Sequence, residues 1–341
     1  MFQEKTIIKD LRVLTEHFIP RRIIHREGQM LAIRDNLKPL VDGEIPRNSF
    51  LYGSPGTGKT CLSLYVVDEL KAEVSVLSVY NNCWSYPSRF KILYNIAESL
   101  GSNFLQRKGT PTDELIDVLK ARLRNKHCII ILDEADQLED DKILYDLLEM
   151  EGVCLILIAN SQTIFYNSDP RIRSRMHSLD RIEFRAYSTS EIADILKDRV
   201  EYGLVPGTID NQQITRIAEV GGDARAALNI LRAAAELAEK QDVEKITNEH
   251  IEKAIPRTVN QDTEKLLDSL NAHQKVLYEI IKSSREIPSA DLHSKFEALC
   301  KEKSLETVVD RTTRKYLERL EFLGLISVSG DGRWTVYKIV I

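Results

Sequence analysis

Eight residues, GSPGTGKT at 53–60, fit the spacing G-x-x-x-x-G-K-[ST]. In that pattern Gly53, Gly56 and Gly58 let main-chain N–H groups curl around phosphate oxygens, with Ser54, Pro55 and Thr57 completing the turn. Lys59 would reach the outer phosphates of a nucleoside triphosphate, and Thr60 would offer its hydroxyl to Mg²⁺. Downstream, IIILDEAD ends an apolar run in acids. Asp133 is the candidate second Mg²⁺ ligand, through water, and Glu134 the candidate for polarising an attacking water. Asn160 closes another apolar run, LILIAN, at what would be the same sheet edge; it reads either as an orienter of that water or as an ordinary turn residue. DPRIRSRM at 169–176 then alternates Arg171, Arg173 and Arg175, and a guanidinium is a fork suited to phosphate oxygens or carboxylates. Arg225 stands at the start of ARAALNILRAAAELAE, where the helix dipole disfavours a cation, so a compensating anion is expected: Asp223 or a phosphate.

The elements that must position these groups alternate. SFLYG (49–53) reads as a buried strand running into the Gly-rich turn, and KTCLSLYVVDELKA has helical spacing. EVSVLSVY (73–80) is strand-like, PSRFKILYNIAESLG an amphipathic helix ending at Gly101, and Thr110 with Asp113 stands in capping-box register around Pro111. HCIIILDEAD and VCLILIAN add two buried strands. This alternation predicts an α/β fold with a parallel sheet covered on both faces. From about 186 the pattern is helical, opened by a capping box at Ser188 and Glu191, and AIPRTVNQDTEK reads as a linker. Three units are expected: 1–185, 186–258 and 262–341.

The last unit reads as three helices and a hairpin turning at Gly330-Asp331-Gly332. In VVDRTTRKYLERLEFLGLI, with Thr307 and Asp310 as capping box, Tyr316, Leu317, Leu320 and Leu323 share one face. Arg311, Lys315 and Arg319 fall on the other, with Thr312 and Arg314 beside them and Arg333 at the hairpin tip. That is a winged helix-turn-helix pattern, whose second helix would enter a major groove. Against it, 13 Lys/Arg balance 13 Asp/Glu between 260 and 341, and Glu318 and Glu321 lie on the same helix, so a protein-binding winged helix stays open. The stretch 83–108 is more basic, with Arg89 and Lys91 beside Trp84 and Tyr86 as candidate DNA contacts, or an ordinary amphipathic helix with Phe90 and Leu93 inside.

A chain of 341 residues, 43% hydrophobic and 29% charged, has material for several cores, and its net charge of −5 gives no global attraction to nucleic acid. Five cysteines without a CxxC pair argue for a reducing compartment and against a disulfide framework or zinc site. The longest apolar runs are strand-length and no signal peptide is visible, which predicts a cytoplasmic protein without membrane partners.

The order phosphate loop, DEAD, Asn160, arginine cluster resembles the AAA+ ATPases. VLTEHFIPRRIIHREGQM (13–30), VYNNCWSYPSRFKILYNIAESLG (79–101) and GDARAALNILRAAAELAE narrow the resemblance to the archaeal origin-recognition initiators, though Ala226 stands where a second arginine is common. The resemblance implies an AAA+ core, a helical lid and a winged helix. It implies bound ATP or ADP with Mg²⁺, and adenine flanked by Pro20, His25 and Arg26 in the pattern that Glu27 completes. Arg175 would enter a neighbouring subunit's site, and Arg225 would reach the γ-phosphate of its own. Further implications are slow, switch-like hydrolysis, duplex origin DNA bound through the winged helix and the 79–101 insertion, recruitment or loading of the replicative helicase, and paralogous initiator subunits as partners. A translocating motor of the same domain order and a signalling ATPase with a protein-binding winged helix are the rival readings.

Overall fold

The computed structural model describes residues 7–102, 110–166, 168–256, 267, 270–303, 305, 308–330 and 335–340. The chain divides into two compact units, 1–251 and 252–341.

The first unit is built on five parallel strands: β1 (Ser49–Tyr52), β2 (Leu77–Asn82), β3 (Cys128–Asp133), β4 (Val153–Ala159) and β5 (Asp180–Glu183), in the order β2-β3-β4-β1-β5. The two central strands, β3 up to its terminal Asp133 and β4 throughout, are apolar because both faces are covered. Ile130, Leu132, Leu155 and Leu157 point to one core and Ile129, Ile131, Ile156 and Ile158 to the other. Helices α1 (Glu27–Leu37) and α2 (Lys59–Glu73) cover the second face. The first is covered by α3 (Arg89–Ser99), α4 (Thr112–Leu123), α5 (Lys142–Leu148) and α6 (Pro170–Met176).

Three local expectations are corrected. The strand expected at 73–80 begins only at Leu77, because Val66, Val67 and Leu70 carry α2 to Glu73 and the Val74 N–H closes it on the Leu70 carbonyl. Pro111 is extended (φ −64°, ψ 148°) and occupies the N-cap, so α4 starts at Thr112 without the expected capping box. β5 has no counterpart in the sequence reading: as an edge strand it buries only Ile182, and DRIE carries no apolar run.

The lid follows within the same unit as α7 (Thr189–Gly203), α8 (Asn211–Gly221) and α9 (Ala224–Lys240), and a helix, α10, over 248–256 runs across the division between the units at 251. The Ser188–Glu191 capping box is present, and Gly222 ends α8 with φ 71°. Residues 7–18 pack on this lid. Ile8 bridges Leu204, the N–H groups of Ile7 and Ile8 donate to Glu239 Oε2 (2.9 and 3.2 Å), and the short 3₁₀ turn Leu11–Leu14 lies on α7 and α9.

The second unit contains α11 (Ala272–Ser284), α12 (Ser289–Glu302) and α13 (Asp310–Phe322), with a three-stranded antiparallel sheet. Strand β8 (Val336–Ile339) runs between β6 (Glu286–Pro288) and β7 (Ile326–Ser329). Leu317 and Leu320 are buried, with Tyr316 and Leu323 packed beside them, as the helical spacing required. The α13 N-cap is Val309, with no side-chain cap bond. Thr307, Asp331–Arg333, Arg107, Lys108 and most of the expected linker lie outside the described residues.

Candidate functional site

The candidate site forms where β1, β3 and β4 end. Because β4 lies between β1 and β3, the phosphate-loop residues, Asn160 and Asp133 all emerge at one sheet edge. Between β1 and α2, Gly56 (φ 73°) and Gly58 (φ 88°) take left-handed conformations that a side chain would strain. Gly58 is also the N-cap of α2 and supplies no side chain to it, so the first-turn N–H groups face the loop's hollow. Thr57 Oγ1 closes the loop on the Ser54 carbonyl (2.8 Å), and Lys59 Nζ donates to the carbonyls of Gly53 (2.6 Å) and Ser54 (2.8 Å). Burial pushes the Lys59 ammonium down to about 8, with the Asp133 charge opposing and the Arg225 charge adding to the fall. A cation held this far below its ordinary value gains strongly from an arriving anion.

Across the edge, Thr60 Oγ1 donates to Asp133 Oδ2 (2.7 Å), and Tyr80 OH donates to the same oxygen (2.8 Å). The hydroxyl and carboxylate fit a hard cation, which takes oxygen ligands; Thr60 and Asp133 would hold Mg²⁺, which when bound offsets phosphate charge. Tyr80 was not singled out in the sequence. Its burial and the neighbouring carboxylates raise its phenol well above the ordinary range, so it stays a donor. Glu134 follows Asp133 in a left-handed conformation (φ 54°), its N–H turned back onto Asp133 Oδ1 (2.9 Å). Asn160 Nδ2 lies 3.3 and 3.4 Å from the two carboxylate oxygens of Asp136, the last acid of DEAD. The structure therefore brings together Gly53–Thr60, Asp133, Glu134 and Asn160, and adds Tyr80 and Asp136.

The residues expected around the base are placed differently. Arg26 is 5% exposed and all three guanidinium nitrogens are engaged: Nε donates to the Thr57 carbonyl (3.0 Å), Nη1 to the His25 carbonyl (3.0 Å) and Nη2 to the Arg185 carbonyl (2.6 Å), over the Tyr187 ring at 3.7 Å. It holds the phosphate loop to the end of β5 and is not free for a base. His25 (φ 60°) turns Nε2 to Asp194 of α7 (3.3 Å), and Nδ1 lies 4.0 Å from Glu191, tying core to lid. Pro20 is half-buried where the chain passes from the lid, at Phe18, to α2, where Tyr65 donates to the Arg21 carbonyl (3.3 Å). Tyr187, also missed, has its hydroxyl against Gly58, and burial pushes it up to about 12.

The lid's Arg225 and the rim's Arg175 each have an acid. Asp223 caps α9 and lies against Gly56, and Arg225 Nε is 3.2 Å from Glu16 Oε2. Arg175 pairs with Glu149 (2.6 Å) and lies over the Tyr145 ring at 4.7 Å, while Arg171 and Arg173 are exposed. Arg89 was expected on DNA. Its guanidinium instead pairs with Asp146 of α5 (2.5 and 3.0 Å), because that half-buried carboxylate needs a counter-charge; Lys91 is exposed. On α13, Arg311, Arg314 and Lys315 are exposed and Thr312 half-buried; Glu318 shares that surface.

A sheet with β4 inserted between the phosphate-loop strand and the acid-bearing strand, a helical lid closing on that loop, and a winged helix define an AAA+ ATPase fold with a winged-helix unit. Residues 46–163 match the AAA domain family, 193–256 the Cdc6 AAA+ ATPase-type lid domain, and 265–340 the CDC6, C terminal winged helix domain. The chain is 35% identical to ORC1-type DNA replication protein 9 of Halobacterium salinarum over 343 residues, 99% of this chain and 96% of that one. ORC1-type DNA replication protein 1 of the same organism is 37% identical over 294 residues, 85% of this chain and 95% of its own. In structure it is similar to the Aeropyrum pernix ORC1 protein solved in complex with DNA, with a TM-score of 0.84 and 28% identity over 99% of this chain and 94% of the other. This chain belongs to the ORC1-type DNA replication protein family, the archaeal Orc1/Cdc6 initiators.

Proposed function

We propose that the chain is an ATP-controlled replication initiator that binds duplex origin DNA and helps recruit or load the replicative helicase, alone or beside paralogous subunits. The observation that carries this reading is the convergence of the phosphate loop, the Thr60–Asp133 pair and the lid residue Asp223 at one place, in a chain whose α13 shows Arg311, Arg314 and Lys315 to solvent. Lys59 and the α2 N-terminus would bind the phosphates, Glu134 would take a proton from the attacking water, and Asn160, fixed by Asp136, would orient that water. Arg225 reads the terminal phosphate from the lid, so hydrolysis loosens lid from core; turnover is slow and serves as a switch. In functional terms the chain comprises a core over 1–185, a lid over 186–258 and a winged helix over 262–341. DNA is gripped by Arg311, Thr312, Arg314, Lys315 and Arg333, with Lys91 as a contact from the insertion.

The test is footprinting on the source organism's chromosomal DNA, with ATP and Mg²⁺, using wild type, Arg314→Ala and Arg333→Ala. A discrete footprint lost in the variants supports the reading. A footprint unchanged in both moves DNA contact away from the winged helix, and none in the wild type removes the initiator reading.

A further inference from the structure

The start of α9 borders the phosphate loop, since a Cβ added at Gly56 would lie 2.7 Å from Asp223 Oδ1. Arg225 follows two residues later, close enough that its charge weighs on Lys59. Its side chain is 54% exposed, so packing does not choose its rotamer, and a cation in the first turn opposes the helix dipole. Among the described residues its ion-pair partner is Glu16, whose Oε2 lies 3.2 Å from Arg225 Nε.

Glu16 is the fixed member of this pair. It lies between Val13 and Phe18, whose carbonyls both accept from Arg199 (3.4 and 3.2 Å), a lid arginine only 6% exposed that also faces the Phe18 ring at 5.0 Å. Thr15 is tied back to the Arg12 carbonyl by its N–H (3.1 Å) and its hydroxyl (2.7 Å). The other Glu16 oxygen lies 3.6 Å from His17 Nε2, on a side chain 90% exposed. A guanidinium has five N–H donors, so one paired with a carboxylate retains donors for a second anion, and its fork geometry lets it bridge carboxylate and phosphate.

We infer that Glu16 is the positioning residue for Arg225 and thereby sets how strongly the site prefers a triphosphate to a diphosphate. This rests on the nucleotide reading above, because the γ-phosphate is the group Arg225 would meet. The anchor belongs to the segment before the AAA+ core, so the lid carries its own aiming device.

The experiment titrates full-length protein with Mg²⁺ and either AMP-PNP or ADP. Glu16→Ala is expected to weaken AMP-PNP about three- to fivefold while ADP changes less than twofold. Glu16→Gln, which keeps an acceptor, falls between. In an Arg225→Ala background Glu16→Ala shifts neither nucleotide, which a merely structural Glu16 would not obey. Equal losses for both nucleotides, no change, tighter AMP-PNP, or an effect that persists without Arg225 each overturns the inference. Wild type that binds neither nucleotide sinks the nucleotide reading and the inference with it. A triphosphate preference that Arg225→Ala leaves intact sinks the role of Arg225 and the inference built on it. A silent Glu16→Ala beside a sensitive Arg225→Ala sinks the inference alone.

Discussion

Asp133 Oδ2 accepts from two hydroxyls, Thr60 and Tyr80, and only the first was marked by a motif. Tyr80→Phe removes one hydrogen bond to a carboxylate, about 1–2 kcal/mol, and leaves the phosphate loop untouched. Nucleotide affinity in Mg²⁺ should change several-fold and affinity in EDTA hardly at all, as read by paired fluorescence titrations. Equal changes in both would show that Tyr80 does not act through Asp133. Arg26 makes a different demand, because three carbonyls around one planar group suit a guanidinium and no other side chain. Arg26→Ala should destabilise by about 2–4 kcal/mol, with nucleotide binding lost in parallel, and Arg26→Lys should recover little of either. Thermal melts with and without ADP check this; full rescue by lysine would mean that charge alone matters. His25-Arg26-Glu27 was readable as a pattern, but its targets, Thr57, Arg185 and Asp194, are 31, 159 and 169 residues away.

Among the elements, residues 7–18 pack on the lid although they precede the core. Ile7, Leu14 and Val13 are buried there, and Gly203 of α7 is in close contact with Leu14. Burying each such side chain contributes about 1.5–3 kcal/mol, so a chain lacking residues 1–14 should lose the lid's protection first. Limited proteolysis is expected to cut within 189–251 before the core, and hydrogen exchange to rise in α7 and α9; unaltered α7 exchange would mean that the contact is dispensable. Glu239, which caps the N–H groups of Ile7 and Ile8, is the single-residue form of the same test. Helix α5 holds two arginines by acids or rings, Arg89 through Asp146 and Arg175 through Glu149 and Tyr145. On α13, Lys315→Ala should weaken DNA binding and lower the slope of log affinity against log salt by about one, if the residue meets a phosphate. An unchanged slope would exclude that contact.

At the scale of the molecule, Arg175 is held on its own α5 and would need a neighbouring subunit to act as a finger. Arg175→Ala should bind ATP within about twofold of wild type and yet lose the rise of specific hydrolysis with protein concentration, since a supplied arginine contributes on the order of 10³ or more. A wild-type rate independent of concentration would remove the trans role. Much of this architecture was legible: GSPGTGKT, the four apolar runs and the Leu317–Leu320 spacing carry their own local physics. What escaped was weakly patterned or distant. Edge strand β5 buries one residue, the start of β2 depended on how far α2 found apolar cover, and the fate of Arg89 was decided by Asp146, 57 residues on. Sequence alone determined which residues form a phosphate-loop turn and which faces are buried, because turn conformation and apolar period are short-range properties. Only the tertiary structure decided that Arg89 meets Asp146, Arg175 meets Glu149 and Arg225 meets Glu16, because those pairs are brought into reach by sheet order and by residues 7–18 packing on the lid.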